Sequence, residues 1–154
     1  MSTRRYFSLL LSVVMLFALW AIPASASDDK IVSSQRINFE DGSYLIETVV
    51  EENATQITRA TSTKSGYKNS TYYTADNVAI YTVRVTGSFE YTGTSSKATS
   101  ASATVYLNHA SATYISKSAF CSGISAYATG SVSYSGKTLS RSVALSCSAT
   151  GVLS

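Results

Sequence analysis

The chain has 154 residues, with 12 Lys and Arg against 9 Asp and Glu and a single His. From Ser27 onward the basic residues number 10, so the charge excess nearly vanishes, which excludes the strong basic patch of an electrostatic nucleic-acid binder. Those 128 residues suffice for one domain with a real core and are too few for two.

Residues 1–26 read as a signal peptide. Arg4 and Arg5 open a positive segment, Tyr6 to Ile22 is almost unbroken apolar sequence, and Ala24-Ser25-Ala26 supplies the small-residue pattern of a cleavage site. An apolar stretch of 17 residues also sits at the lower edge of transmembrane length. Thr3-Arg4-Arg5-Tyr6-Phe7 resembles a twin-arginine signal. Pro23 and the charged Asp28, Asp29 and Lys30 favour cleavage, and the Leu/Val/Phe-rich run favours the general secretory route. The product is expected to be secreted and extracellular, with no stable membrane insertion once the leader is removed.

Residues 27–52 form an N-terminal segment with a β-hairpin. Arg36-Ile37-Asn38-Phe39-Glu40 and Ser43-Tyr44-Leu45-Ile46-Glu47 flank Asp41-Gly42, a strong signal for a two-residue type I′ turn. That turn pairs Phe39 with Tyr44 and Ile37 with Ile46, placing all four on one face. Residues 53–66 lose apolar density and read as a linker or long loop. Asn53-Ala54-Thr55 and Asn69-Ser70-Thr71 match the glycosylation pattern by chance in a chain so rich in Ser and Thr.

Residues 67–154 alternate with period two. Tyr81, Val83, Val85, Phe89 and Tyr91 share one parity, as do Ala101, Ala103, Val105 and Leu107. Sustained alternation with β-branched and aromatic residues marks half-buried strands. The fold class is all-β: an antiparallel β-sandwich, immunoglobulin-like, of roughly seven to nine strands and preceded by the first hairpin. The Cys-Trp-Cys core of antibody domains is absent, because the only Trp lies in the leader, so the likeness is architectural. In the last hairpin, Ser135-Gly136 is expected to pair Tyr134 with Lys137 and Val132 with Leu139. Ile124, Ala126, Ala128, Val132, Leu139, Val143, Leu145 and Cys147 then face the core. Arg141 shares their parity opposite Gly130 and must emerge at a sheet edge or cross that glycine.

Few residues suggest chemistry. Cys121 and Cys147, the only cysteines of an exported chain, suggest one disulfide, with two free buried thiols or a reactive thiol as alternatives. Neither a metal site nor a cofactor is expected, since two distant cysteines and one His do not make four ligands. His109 reads as a solvated turn residue. Seven of the nine acids precede Asn53 and read as solubilising groups at turns and edges, so no catalytic residue is assigned and an enzyme is not expected. The tyrosines are the suggestive feature. Tyr67, Tyr72 and Tyr73 cluster ahead of the main strands, and Tyr106 and Tyr127 fall on the Ser/Thr parity, where exposed rings beside hydroxyls make candidate ligand-binding surfaces.

The run Thr86-Gly87-Ser88-Phe89-Glu90-Tyr91-Thr92-Gly93-Thr94-Ser95-Ser96 and the ending Val143-Ala144-Leu145-Ser146-Cys147-Ser148-Ala149-Thr150-Gly151 resemble an uncharacterised family of small secreted β-rich proteins from Gram-positive, clostridia-like bacteria. Tyr67-Lys68-Asn69-Ser70 and Glu40-Asp41-Gly42-Ser43-Tyr44 fit the same resemblance. It implies an exported all-β protein and carries no active site over. It also implies a cysteine near the position of Thr99, which this chain lacks.

Two functions from different classes are expected to compete. One is a secreted non-catalytic binding module at or near the cell surface, whose partner is an unknown glycan or protein ligand, with no nucleic acid. The other is a β-pore-forming or bacteriocin-like toxin, since the alternation in 101–107 and 124–145 could line an aqueous lumen.

Overall fold

The structure is a computed structural model and describes residues 29–52 and 61–154. The expected signal peptide at 1–26, the Asn53 sequon and residues 53–60 of the expected linker lie outside the described residues. Eight strands follow in order: β1 Lys30–Asn38, β2 Tyr44–Glu52, β3 Ser62–Tyr73, β4 Ala79–Tyr91, β5 Ser96–Leu107, β6 Thr113–Ser122, β7 Ser125–Tyr134 and β8 Lys137–Ser146. They form two antiparallel sheets, β1-β2-β3-β4-β5 and β6-β7-β8. Each sheet is an up-and-down meander, and the single connection between them runs from β5 to β6. Immunoglobulin domains share strands between their sheets by Greek-key connections, so the likeness stays at the level of two packed sheets.

The three-stranded sheet lies over β3, β4 and β5 of the larger one. Their facing side chains make the core. Val83, Val85 and Phe89 of β4 meet Ala126, Ala128 and Val132 of β7, Val143 and Leu145 of β8, and Cys147 just after it, all 2% exposed or less. The closest approach is set by glycine. A Cβ on Gly130 would lie 2.6 Å from Val105 Cγ2 and 2.8 Å from Val83 Cγ2, so only a missing side chain lets β7 settle there. On the β5 side the sandwich is drawn shut, with Ala98 N–H donating to the Gly123 carbonyl at 2.9 Å. The opposite side stays open, because β1 and β2 overhang the smaller sheet.

The last hairpin has the expected register, with Tyr134 opposite Lys137, Val132 opposite Leu139 and Gly130 opposite Arg141. Its turn takes φ of 49° at Ser135 and 73° at Gly136, the two left-handed residues that a type I′ turn needs. One member of the expected core list departs: Ile124 is exposed, because it sits in the turn between β6 and β7 after Gly123.

The first hairpin differs by one residue. Asn38 pairs with Tyr44 and Ile37 with Leu45, where Phe39 with Tyr44 and Ile37 with Ile46 were expected. Only Gly42 takes positive φ (81°), so Glu40, Asp41 and Gly42 make a three-residue loop closed by Phe39 N–H to the Ser43 carbonyl at 2.9 Å. The Asp41 carboxylate accepts from the Ser43 amide at 3.0 Å and from its hydroxyl, which favours this wider loop. A one-residue slip inverts every side chain. Leu45, Glu47 and Val49 therefore turn inward, while Tyr44 and Ile46 turn to the outer face. The hairpin is continuous with the sandwich, since β2 pairs with β3 along its whole length. β3 begins at Ser62, so residues 62–66 of the expected linker are strand.

No disulfide forms. Cys121 pairs with Ala126 across β6 and β7, whereas Cys147 follows directly after β8 and pairs with Leu153. The whole of β7 separates the two strands, which puts them about 9–10 Å apart, beyond the Cα reach of a disulfide. Cys121 is exposed and Cys147 fully buried, and burial raises the Cys147 thiol above its ordinary pKa.

Two outcomes follow from this packing. Leu145→Ser, a truncation in the sealed core, should cost about 2–4 kcal/mol in urea unfolding, whereas Ser142→Ala on the outer face should change stability by less than about 0.5 kcal/mol. Intact-mass measurement after alkylation should show one modified thiol, that of Cys121, in the native protein and two after denaturation.

Candidate functional site

The five candidate tyrosines separate onto three surfaces. Tyr67, Tyr73 and Tyr106 lie on the outer face of the large sheet, Tyr72 on its inner face, and Tyr127 on the outer face of the small sheet. Alternation decides this: Tyr72 and Tyr73 are sequence neighbours and so point to opposite sides of β3.

On the outer face, Tyr67 of β3 and Tyr106 of β5 flank Arg84 of β4. The guanidinium carbon is 4.0 Å from the Tyr67 ring centroid and 5.1 Å from that of Tyr106. Such cation–π contacts contribute about 0.5–1 kcal/mol each at partly exposed sites and hold the rings in place. Arg84 Nε donates to Asn69 Oδ1 at 2.8 Å, which fixes the plane of the guanidinium. The Tyr67 hydroxyl donates to Asp29 at 3.3 Å; burial moves its pKa up, with the Arg84 charge opposing. Thr71 and Thr82 share a hydrogen bond at 2.8 Å, Asn108 Nδ2 donates to Thr82 Oγ1 at 2.8 Å, and Ser65 meets Ser88 at 3.0 Å. At one end of the same face, Tyr73 stacks on Tyr44 with centroids 4.8 Å apart, and Arg36 lies 3.5 Å over Tyr44. The result is a firm floor of satisfied hydroxyls carrying two aromatic–arginine groups.

Tyr127 stacks on Phe120 at 4.9 Å, remote from this row. His109 lies 2.8 Å from the Ser111 hydroxyl and stands edge-on to Tyr134, as a turn residue.

The second concave region lies on the open side, between the overhanging hairpin and the edge of β8. Phe39 at the end of the first hairpin, Leu45, Tyr72 and Tyr81 from the large sheet, and Thr138, Leu139, Ser140 and Arg141 from β8 line a cavity of about 430 Å³. Tyr81 is 3% exposed, and burial pushes its phenol up to about 12. Beside this cavity sits a buried carboxylate. Glu47 Oε1 accepts from Arg141 Nη2 at 2.6 Å and from Ser70 Oγ at 3.3 Å, and its Oε2 accepts from Gln35 at 3.1 Å with Lys68 Nζ at 3.3 Å. Arg141 thus leaves its own sheet at the β8 edge and crosses to β2, one of the two outcomes expected for it. Glu47 corrects the reading of the early acids as solubilising groups: it faces inward on a central strand, in the parity of Leu45 and Val49.

Arg84 and Glu47 carry these two regions, and neither stood out in the sequence. Arg84 had a signal, being the one cation on the polar parity of a strand flanked by tyrosine-bearing strands. Glu47 had one only in the correct hairpin register. No family model matches the chain, and no curated protein and no solved structure matches it.

For Glu47, burial acts to raise the pKa, but the Arg141 hydrogen bond and the Lys68 charge outweigh it and hold the group below its ordinary value. A depressed folded-state pKa stabilises the protein at pH above the unfolded value and loses that stability as pH falls through the folded one. Resistance to urea should therefore fall below about pH 4.3, and Glu47→Gln should flatten that decline.

Proposed function

We propose that the protein is a secreted, non-catalytic binding module that meets a glycan or protein ligand at or near the cell surface through the outer face of its five-stranded sheet. The observation that carries this reading is the row Tyr67–Arg84–Tyr106, a cation held between two rings on a face that no other part of the described fold covers. Tyrosine and arginine dominate binding energy where they are preorganised, because little conformational freedom is lost on contact. Tyr106 is 41% exposed, and the amide of Asn69 and the hydroxyls of Thr71, Thr82 and Thr104 share its face of the sheet as hydrogen-bonding groups. A ring face beside amides, hydroxyls and a guanidinium suits a sugar, which offers apolar C–H patches and hydroxyls together. The export leader and the resemblance to small secreted Gram-positive proteins point to the same compartment.

The test is a binding panel of purified cell-wall glycans, mucin and matrix proteins. A ligand should be captured, and Arg84→Ala and Tyr106→Ala should each weaken it by about tenfold or more, with Tyr127→Ala unchanged. Capture of nothing in the panel, or equal binding by all variants, rejects the outer face as the site.

A further inference from the structure

The open side of the sandwich contains a strand edge with a ready partner geometry. Ser146 N–H donates to the Ser154 carbonyl at 2.9 Å and Ser154 N–H donates back at 3.0 Å, so the residues after β8 fold over and pair with its outer edge. Leu153 is buried there, its side chain against Gly66 of β3. Ser146 therefore turns its main-chain groups away from β7. Because that direction repeats every second residue, Ala144, Ser142, Ser140 and Thr138 present their N–H and C=O groups to the same side. Among the described residues none of these four has a backbone partner on that side. The exposed run spans about 20 Å, room for a strand of six residues.

Two other edges are blunted, and that of β5 is tied to the β6–β7 turn by Ala98 N–H donating to the Gly123 carbonyl. β6 carries Lys117 at its middle and a bulge between Tyr114 and Ser116, and β1 carries a bulge between Ile31 and Ser33. Bulges and lysines are the usual devices against edge pairing, and β8 pairs through its whole length without a bulge. Its one internal cation, Arg141, is turned under the sheet to Glu47.

The cavity beneath this edge also lacks a partner. The Tyr81 hydroxyl makes no hydrogen bond with the described residues, yet no buried side-chain oxygen is left unsatisfied, so this hydroxyl opens into the cavity that Tyr81 lines. Arg141 uses Nη2 and Nε on Glu47 and Ser70, leaving Nη1 free of protein partners. Arg141 and Lys68 together outnumber the single charge of Glu47, so the cluster keeps one positive charge. Phe39, Leu45 and Leu139 supply apolar walls.

We propose that this groove is a strand-addition site for an extended peptide of a partner protein, which pairs with the β8 edge and inserts an acidic side chain into the cavity lined by Tyr81 and Arg141. The main chain of such a peptide satisfies the free groups of Thr138 to Ala144, in continuation of the pairing that Ser154 begins. A residue opposite Leu139 points down, passes its methylenes along Phe39 and Leu45, and accepts from the Tyr81 hydroxyl and Arg141. A small molecule in the cavity would leave the strand edge unpaired. The site lies on the opposite face of the sheet from Tyr67, Arg84 and Tyr106, so it stands independently of the outer-face reading.

The probe is a phage-displayed library of random peptides, about 12 residues each, panned on the mature protein. Enriched peptides should carry Asp or Glu within a β-prone run, and on binding they should slow amide hydrogen exchange at Ser140, Ser142 and Ala144. Ser140→Pro removes an edge N–H that does not bond to β7, so it should weaken these peptides by more than about tenfold with the thermal transition retained. Arg84→Ala should bind them normally. The proposal is overturned if no peptide is enriched, if Ser140→Pro binds as well as the native protein, or if binding is lost in Arg84→Ala. Should Ser140→Pro fail to fold, exchange in the native protein decides: protection along β8 supports the site and its absence overturns it.

Discussion

The bridge from Arg141 to Glu47 is the interaction on which the arrangement of the two sheets depends. A carboxylate 6% exposed would be costly alone, and here four donors from three strands answer it: Gln35 of β1, Lys68 and Ser70 of β3, and Arg141 of β8. Two of those strands belong to the large sheet and one to the small. The small sheet can therefore sit only where Arg141 reaches β2, at the boundary between covered and uncovered strands. Apolar packing alone would not select that position, since Val and Ala side chains tolerate sliding, whereas a charge-assisted hydrogen bond does not. Gly130 reinforces the choice from the opposite side of β7–β8, because its missing side chain fits Val83 and Val105 and no other inward position on β7 lacks a Cβ.

With the register held in this way, the open side becomes unavoidable. Three strands cover three, and the hairpin β1–β2 is left with an inner face that no strand opposes. That face is only partly apolar: along β2 the buried Leu45 and Val49 flank the buried Glu47, while along β1 Gln35 is exposed and Ile37 half-buried. The outer face follows a different rule. Its Thr and Ser hydroxyls pair with one another across strands, as Thr71 does with Thr82 and Ser65 with Ser88, which stiffens the sheet. Rings and guanidinium groups rise from that floor.

Much of this fold was legible in the sequence where local chemistry permits one outcome. Ser135-Gly136 between two alternating runs allows one short turn, and the register of β7 with β8 followed from it. The strand parity from Tyr81 to Leu107 was legible for the same reason, because large apolar residues recur at every second position. Asp41-Gly42 was ambiguous: the same pair closes a two-residue turn with both residues left-handed, or ends a three-residue loop with glycine alone left-handed. Asp41 settled it by accepting hydrogen bonds from Ser43, a contact that period and propensity do not encode. That one-residue difference decided which face Tyr44 and Glu47 occupy. The disulfide failed on distance, since Cys121 and Cys147 belong to strands separated by a third, a fact of strand order that spacing along the chain does not carry.

For the same physical reason the tyrosines are visible in the sequence but not sorted by it. β3 serves both surfaces at once: Tyr67, Asn69 and Tyr73 point out, while Lys68, Ser70 and Tyr72 point in. Composition marks the segment as unusual, yet the two functions it supports are separated only by parity, and parity is meaningful only once the neighbours are known. Tyr72 gains its place by lying between Leu45 and Tyr81, and Tyr67 gains its place by lying diagonal to Arg84. Each pairing joins residues distant in sequence through the register of β2 to β3 or of β3 to β4. A single slip of β3 against β4 would carry Lys68 into the outer row and bury Tyr67 against Gly87 and Ala126. The buried polar network around Ser70 forbids that slip, because it would leave Glu47 and Arg141 without their partners. The inner ion cluster thus holds the outer aromatic row in register, although no atom of one touches the other.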